Sequence, residues 1–539
     1  MVTFQDSASP ALEGVYVNGS QSPTATASVM HNRRTQHRLV EFPIATDPLQ
    51  DDRATEIKLL SFARPHMRAF HFAWLSFFTA FFGWFSIPPL MPTIKKQLHL
   101  SADQVSNSNI VAVSSTIIGR VIAGPLCDRY GSRTVQAVLL VLGAIPVASA
   151  ALVTNYTGFM LVRFFIGLVG CTFVATAYWT SVMFAKQVVG SANALAAGWG
   201  NLGAGVTYLI TPLLFDLVTT DDAVSDSVGW RVTLLFPAFF MVAVGVCLYL
   251  YSDDSPQGNY ADLKKLGDPV HHEPEALASK TKVDMSKALV AVAKMPVVWI
   301  LAFQYACSFG VELQVHNVLS LYYFEDFTRP AGVCNAATDA SKCRILSQTK
   351  ASLISSFFGL MCIFARAMGG YASDVANRRF EMRGRIAVQF VVFAGQALFL
   401  YLYSQLTTLA WSVPCLVAFG VFVQACTGST YGIVPYVSPK LTGVASGIVG
   451  AGGNVGGLAW GFLFKGVPNR RMAFRYLSIF VAAAALLSAG IQVTGERKIW
   501  GKDDSVHGST AATECGEGED DDGGESGGKR ARKEEEMMA

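Results

Sequence analysis

Two arginines inside apolar segments are the residues of this sequence that point most directly to chemistry. Arg120 and Arg366 each lie in an apolar stretch long enough to cross a membrane, where a charged side chain costs about 2.5–3.5 kcal/mol and needs a partner in the protein interior. No Asp or Glu lies in either stretch, and Glu312 is the only carboxylate well inside any other. Two guanidinium groups without two acids favour an anionic ligand, because each binds flat oxyanions in a fork. The alternatives are side chains that extend to the membrane surface and structural salt bridges.

Two asparagines in glycine-rich segments are the next candidates. Asn201 lies in AAGWGNLGAG (196–205) and Asn454 in VGAGGNVGGL (449–458). The first segment has the G-x-G-x-x-G spacing of dinucleotide sites, but it lies within a long apolar helix and not between a strand and a helix. Small residues at helical spacing let transmembrane helices approach closely. Each asparagine is therefore predicted to hydrogen-bond a substrate or a neighbouring helix.

Membrane-spanning helices must position these residues. The 539-residue chain is 51% hydrophobic and 15% charged, whereas about a quarter of the residues in soluble proteins are charged. A bilayer core needs about 20 apolar residues per helix. We predict an all-α membrane protein with twelve spans: 69–91, 106–126, 134–153, 156–180, 189–214, 231–251, 296–324, 350–373, 384–404, 409–434, 440–465 and 472–494.

Composition also argues against several classes of function. The net charge of +3 is small for this length and gives no indication of a nucleic-acid partner. The ten cysteines include no CxxC pair and no His spacing typical of zinc or haem sites, so we expect no metal and no cofactor. No arrangement of nucleophile, base and oxyanion donors stands out, so we do not expect an enzyme.

Polar segments divide the chain into five parts. We predict a cytosolic amino-terminal tail (1–68), two six-helix bundles (69–251 and 296–494), a polar cytosolic linker (252–295) and a disordered charged tail (495–539). The amino terminus has no apolar core of signal-peptide length. Both termini are therefore placed in the cytosol, an orientation that also puts most Lys and Arg inside. A basic cluster falls outside as an exception: Lys465, Arg470, Arg471 and Arg475.

The two halves of the chain repeat each other. GRVIAGPLCDRYGSR (119–133) aligns with ARAMGGYASDVANRR (365–379), which pairs Arg120 with Arg366. The two glycine-rich segments align as well and pair Asn201 with Asn454. Two matches in the same order indicate a duplicated six-helix unit. Parallel repeats of six spans are the architecture of the major facilitator superfamily, with the substrate site between the halves near the membrane centre.

Two further segments are similar to patterns of that superfamily. GPLCDRYGSR (124–133) resembles its signature between the second and third helices, which implies that Asp128, Arg129 and Arg133 latch helix ends at a cytosolic gate. The alternative is that they only anchor the interface, and Asp374 belongs to a weaker copy of the segment. LVRFFIGLVG (161–170) resembles the RxxxG pattern of the fourth helix. Arg163 in this segment is predicted to have either a structural role or a role in coupling.

The glycine-rich segments are similar to the paired signatures of the nitrate/nitrite porter family, which includes the high-affinity nitrate transporters of plants, algae and fungi. The resemblance covers nearly all of residues 69–494 and implies that Arg120 and Arg366 clamp nitrate with Asn201 beside it. YACSF (305–309) is similar to the family's Tyr-x-x-x-Phe. The match implies that Tyr305 donates to the anion, that Phe309 walls the pocket and, by spacing, that Phe173 packs on the nitrate plane. Ordinary helix packing is the alternative for these three rings.

The resemblance implies a plasma-membrane transporter of nitrate, and of nitrite, with the lipid bilayer and protons as further partners. Uptake of an anion against an inside-negative potential needs coupling, and we expect Glu312 to take part in proton coupling. The alternative is that the Glu312 carboxylate holds Arg163 or backbone groups. A nitrate/nitrite exchanger, a porter for another anion and a nitrate sensor remain alternatives. Some relatives need a small single-span accessory protein. Cys334 and Cys343 are predicted outside the membrane, where a disulfide is permitted.

Overall fold

The computed structural model describes residues 42–220, 223–265, 285–329, 343–438 and 441–493. Within these ranges the secondary structure is helical, apart from connecting loops and a small antiparallel sheet of β1 (Thr46–Asp47) and β2 (Arg53–Ala54). The predicted charged tail after 494 and most of the predicted amino-terminal tail lie outside the described residues.

The amino-terminal half consists of helices that run back and forth across the bundle. The helix α3 (Ala102–Tyr130) begins at a capping box, in which Ser101 and Gln104 satisfy each other's backbone amides. It ends at Gly131, whose φ of +83° suits a residue without a side chain. The helices of this half are α1 (His66–Trp84), α2 (Met91–Gln97), α3 (Ala102–Tyr130), α4 (Ser132–Ser149), α5 (Tyr156–Leu168), α6 (Thr172–Met183), α7 (Val189–Val218) and α8 (Asp226–Tyr251).

The carboxyl-terminal half has the same alternation after the linker. The seventh predicted span of the chain, which is the first of this half, consists of two α-helices joined by a π-helical turn, Ala306–Gly310. The remaining helices of the described chain are α9 (Tyr260–Lys265), α10 (Met285–Ala293), α11 (Pro296–Tyr305), α12 (Val311–Glu325), α13 (Gln348–Leu360), α14 (Ala365–Gln405), α15 (Leu409–Val437), α16 (Thr442–Gly466) and α17 (Arg470–Leu487).

Eleven helical segments of the described chain are long and apolar enough to cross a membrane. One of them, Gln348–Gln405, contains both the eighth and the ninth predicted span, and the others each coincide with one predicted span. The chain reverses within α14 at Glu381, which has φ +55° and ψ −146°. Arg385 on the far side of this reversal forms an ion pair of 2.8 Å with Asp374 before it. The all-α membrane architecture is therefore confirmed, with two spans joined by a tight reversal.

Buried glutamines show the internal duplication in three dimensions. Gln136 on α4 donates to the Thr176 hydroxyl on α6 at 2.9 Å. Gln389, in the second part of α14, donates to the Thr430 hydroxyl on α15 at 2.9 Å. The two pairs link the third span to the fourth and the ninth span to the tenth, so the halves share one internal polar contact at matching places.

Residues 42–65 form a strap across one end of the bundle, which we call the linker end because the linker begins there. The amide of Ala185 donates to the carbonyl of Ala54 at 2.9 Å, which fixes the strap to the loop between α6 and α7. Arg64 donates to both carboxylate oxygens of Asp253 at 2.9 and 2.6 Å. The end of the predicted tail is thus built into the amino-terminal half.

The two halves meet at the opposite end, which we call the far end. Lys95 on α2 forms an ion pair of 2.6 Å with Glu325 on α12. Asp216 on α7 accepts at 2.7 Å from the hydroxyl of Thr349 on α13. Cys343 at this end is disulfide-bonded, and its predicted partner Cys334 lies outside the described residues. These contacts close the far end of the interface between the halves.

Candidate functional site

Arg120 lies between aromatic rings from both halves of the protein. Its Cζ is 5.1 Å from the ring centre of Phe173 on α6 and 5.6 Å from that of Phe309 in the π-helical turn. Its Nε and Nη2 are buried and have no hydrogen-bond acceptor in the described part of the chain. A buried donor without a partner is costly, and more so when it is charged. The guanidinium is thus held in place by rings that leave its hydrogen bonds unused.

Arg366 has partners on three other helices. Its Nη2 forms an ion pair of 2.9 Å with Oε2 of Glu312 on α12. Its Nε and Nη2 donate to Gln424 on α15 at 3.2 and 3.0 Å. With its amide oxygen turned toward the guanidinium, Asn201 on α7 accepts from Nη2 at 2.5 Å and from Nη1 at 2.7 Å. The arginine therefore joins the two halves through Asn201.

The position of Glu312 corrects one part of the sequence interpretation. We expected two arginines without acids, and the alternative for Glu312 was a contact with Arg163. In the structure Glu312, which is 1% exposed, instead neutralises Arg366, which is 4% exposed. The physical reason is the π-helical turn before α12, because it adds a residue to the turn and rotates the following residues about the helix axis. Only Arg120 lacks an acid partner among the described residues of this centre.

Tyrosines close the same centre from the carboxyl-terminal half. Tyr305 stacks on Phe309 with 5.3 Å between ring centres, and Tyr431 on α15 meets Tyr305 edge-on at 5.2 Å. Both tyrosine side chains lie close to both arginines. A Cβ at Gly453 would lie 2.6 Å from Tyr305 Cδ1, so the glycine of the second signature makes room for this ring.

The two signature asparagines are not equivalent. Asn201 contacts Arg366, whereas Asn454 donates to the carbonyl of Gly450 on its own helix at 3.3 Å. The Oδ1 of Asn454 is buried and has no donor among the described residues. The alignment alone did not distinguish the two, because the sequence repeat does not fix the rotation of each helix.

Two residues of the centre were missed by the sequence interpretation. Gln424 lies in the apolar segment VFVQACTG, where a buried amide was a usable signal for a polar partner. Tyr431 carries no such signal, because a tyrosine is common in apolar helices. Both lie on α15, a helix to which the sequence interpretation assigned no site residue.

The loop of the superfamily signature is anchored by the start of the linker. The amide of Arg133 donates to Asp254 Oδ1 at 2.9 Å, and its guanidinium donates to the carbonyl of Tyr249 at 3.0 Å. Burial raises the pKa of the Asp254 carboxyl above its ordinary value, while the Arg133 guanidinium opposes this change. A Cβ at Gly131 would lie 2.3 Å from Asp254 Oδ1. Asp254, which the sequence interpretation missed, therefore fixes the position of Arg133.

The other predicted gate residues lie on the surface of the linker end. Asp128 and Arg129 are exposed, and the Arg129 guanidinium lies 5.3 Å from the ring centre of Tyr130. Asp374, the weaker copy of Asp128, is paired with Arg385 at 2.8 Å. These contacts connect parts of the same half.

Arg163 lies apart from the centre, toward the far end. It is fully buried, and its Nη2 donates to Asn109 Oδ1 at 2.7 Å and to Asn317 Oδ1 at 3.0 Å. Asn109 belongs to the first half and Asn317 to the second. Arg163 therefore also bridges the halves, but through neutral amides.

The centre joins two guanidinium groups, one carboxylate, two amides and four aromatic rings at the interface of the halves. Such a pocket suits a small, flat anion with one negative charge, because forked donors and ring faces select shape as well as charge. A doubly charged anion such as phosphate would need more positive charge than two guanidinium groups and one carboxylate provide. The arrangement therefore offers recognition of a small anion.

Comparisons with known proteins agree with this description. The chain matches the family model of the Major Facilitator Superfamily over residues 73–461. It is 38% identical to the high affinity nitrate transporter 2.7 of Arabidopsis thaliana, covering 83% of this chain and 88% of the relative. It is 35% identical to the nitrate transporter 2.2 of Chlamydomonas reinhardtii, covering 77% and 76%. It is 26% identical to the nitrate/nitrite transporter NrtP of Nostoc punctiforme, covering 76% and 88%.

Solved structures show the same fold at much lower identity. The xylose transporter XylE from E. coli, in a partially occluded inward open conformation, superposes with a TM-score of 0.56 at 13% identity. The match covers 80% of this chain and 98% of XylE. A bacterial homologue of the human lysosomal transporter Spinster gives a TM-score of 0.55 at 14% identity, covering 78% and 96%.

Proposed function

The chain belongs to the major facilitator superfamily and, within it, to the nitrate/nitrite porter family, and from this premise we propose that it imports nitrate and nitrite by proton-coupled alternating access. The family supports nitrate transport by a multi-pass membrane protein. The proposal adds that the anion is clamped between Arg120 and Arg366, and that the protein acts in the plasma membrane with both termini in the cytosol.

One observation carries the clamp. Arg120 is held between two aromatic rings with two buried donor nitrogens unused, and Arg366 lies in the same centre with its charge balanced by Glu312. A nitrate ion supplies the acceptor atoms that Arg120 lacks and the flat face that Phe173 and Phe309 can cover. An oxygen of the same ion would replace the Glu312 carboxylate on Arg366.

The ion pair of Arg366 with Glu312 suggests how a proton is coupled to the anion. Nitrate and the ionised carboxylate compete for one guanidinium, so protonation of Glu312 frees Arg366 for nitrate. The net charge of the centre is then the same with and without nitrate. Nitrate brings one negative charge, and protonation of Glu312 removes one. Movement of the loaded site and return of the empty site therefore face the same electrostatic cost.

Contacts between the halves support an inward-facing state. Lys95 with Glu325 and Asp216 with Thr349 close the far end, which we assign to the exterior. The strap and the start of the linker lie at the opposite end, which we assign to the cytosol. Alternating access then requires that the far-end contacts break and that the halves close at the linker end.

Equilibrium binding to the purified protein tests the substrate assignment. Labelled nitrate should bind the wild type and be displaced by nitrite more readily than by chloride or phosphate. Arg120→Lys keeps the charge but loses the fork, so we expect its dissociation constant to rise by about tenfold. Displacement by phosphate or an organic acid in preference to nitrate would show that the protein is a porter for another anion.

A further inference from the structure

We infer that a cavity at the far end of the bundle leads to a second anion site at Arg163, which captures a small oxyanion from outside before it reaches the central arginines. This inference rests on the proposed function, because that function assigns the far end to the exterior. The observations that carry it are the unused donors of Arg163, a cavity lined by the two asparagines that bind Arg163, and the charges at the rim of that cavity.

Arg163 is a fully buried cation whose partners are neutral. Nη2 donates to the side-chain oxygens of Asn109 and Asn317, while Nε and Nη1 have no acceptor within the described residues. No ion pair is found for it within the same part of the chain. Amide oxygens satisfy hydrogen bonds but do not cancel a charge, so a positive potential remains. Helix packing alone does not explain two unused donors on a buried arginine.

A cavity of about 490 Å³ lies at the far end, next to the two asparagines that bind this arginine; Arg163 itself does not line it. Asn109 and Asn317, the two residues that bind Arg163, both line it. The cavity lies between the halves at the far end and is large enough for a nitrate ion with several waters. Arg163 therefore lies behind the floor of a polar chamber.

The rim of the chamber carries more basic than acidic side chains, with Lys465, Arg470 and Arg471 against Asp103 and Asp326. Arg470 is balanced by Glu325 and Asp326, but Arg471 donates only to a backbone carbonyl, at 3.2 Å, and its Nε has no acceptor among the described residues. Lys465 also lines the chamber and is exposed. Positive charge at the mouth of a cleft concentrates anions there. It also gives a function to the basic cluster that departs from the positive-inside tendency.

The contacts of Arg163 couple this site to the opening of the halves. Arg163 and Asn109 belong to the first half, whereas Asn317 is held in the second by its own bond to Leu313 at 2.9 Å. When the far end opens, Arg163 keeps its hydrogen bond to Asn109 and loses its hydrogen bond to Asn317. An oxyanion from outside then takes the place of the Asn317 oxygen, and closure returns that oxygen and displaces the anion inward.

Two substitutions with opposite predicted effects test the inference. In cells that express the full chain, labelled nitrate uptake is measured against external nitrate concentration. Arg163→Gln should raise the external KM about tenfold, because it removes a charged donor. Asn317→Ala should lower that KM, because it removes the acceptor that competes with the anion. Asn107→Ala is the matched control, since Asn107 lies on the same helix as Asn109 and hydrogen-bonds Tyr156 within its own half.

A purely structural role for Arg163 predicts a different pattern. Arg163→Gln and Asn317→Ala would then shift the KM in the same direction or leave it within about twofold of wild type, and either result overturns the inference. If Arg163→Gln does not reach the membrane, Arg163→Lys replaces it with an expected rise of about threefold. Absence of nitrate uptake by the wild type would instead refute the proposed function itself.

Discussion

Glu312→Gln separates the two events that the proposed mechanism joins, anion binding and proton uptake. The substitution keeps the size of the side chain but removes the carboxylate 2.9 Å from Arg366. Both partners are buried, and removal of one partner of a buried pair costs about 3–5 kcal/mol. The variant without ligand should therefore melt at a lower temperature than wild type. Nitrate supplies the missing negative charge, so it should raise the melting temperature of the variant more than that of wild type.

The pH dependence of nitrate binding gives the sign of the coupling. In wild type the proposed mechanism couples nitrate binding to the uptake of one proton, so nitrate binding should weaken as the pH rises. The dissociation constant should rise by up to about tenfold per pH unit, because binding takes up one proton. Glutamine cannot be ionised, so the variant should bind nitrate with a dissociation constant that does not change with pH.

Labelled-nitrate binding to purified wild type and variant across about three pH units measures this slope. Glu325→Gln is the matched control, because it breaks another ion pair between the halves at a distance from the centre and should retain the wild-type slope. The same proteins in liposomes should show that Glu312→Gln abolishes accumulation driven by a proton gradient. A wild-type slope in Glu312→Gln, or unchanged accumulation, would refute the coupling role.

Two further predictions concern the linker end and the aromatic wall. Gly131→Ala should lower the free energy of unfolding by about 1–3 kcal/mol, because its φ is +83° and Asp254 Oδ1 would lie 2.3 Å from the new Cβ; Gly124→Ala, which meets no atom within 4 Å, is the control in thermal denaturation. Phe173→Leu should raise the nitrate dissociation constant about threefold and make chloride a better competitor, since it removes the ring 5.1 Å from Arg120. Equal chloride competition in both proteins would contradict this prediction.

Hydropathy and internal repetition predicted the fold well because both depend on long segments. Each predicted span lies in a helix of the described chain to within a few residues. The joining of the eighth and ninth spans was not predictable, because it depends on one residue, Glu381, that adopts a positive φ. The built-in strap was missed for a similar reason. Its contacts are backbone hydrogen bonds, an ion pair and a few buried apolar side chains such as Ile44, which are too few to form a periodic apolar pattern in the sequence.

The residues of the central site were partly predictable. Arg120 with Phe173 and Arg366 with Asn201 could be named, because charged residues and signature motifs stand out in apolar helices. The pairing of Arg366 with Glu312 could not be derived, since it depends on how far α12 is rotated by the π-helical turn before it. Helix rotation is set by packing among several helices, and the spacing of residues along one helix does not report it.

Uptake of labelled nitrate into liposomes that contain the purified protein alone tests the central claim most directly. Wild type should accumulate nitrate when a proton gradient is directed inward, and Arg120→Lys and Arg366→Lys should each lose this accumulation. That result would establish a proton-coupled nitrate carrier in which both arginines hold the anion and no accessory protein is required. Accumulation that survives in both variants would contradict the clamp, and wild-type flux that requires nitrite on the opposite side would show an exchanger instead.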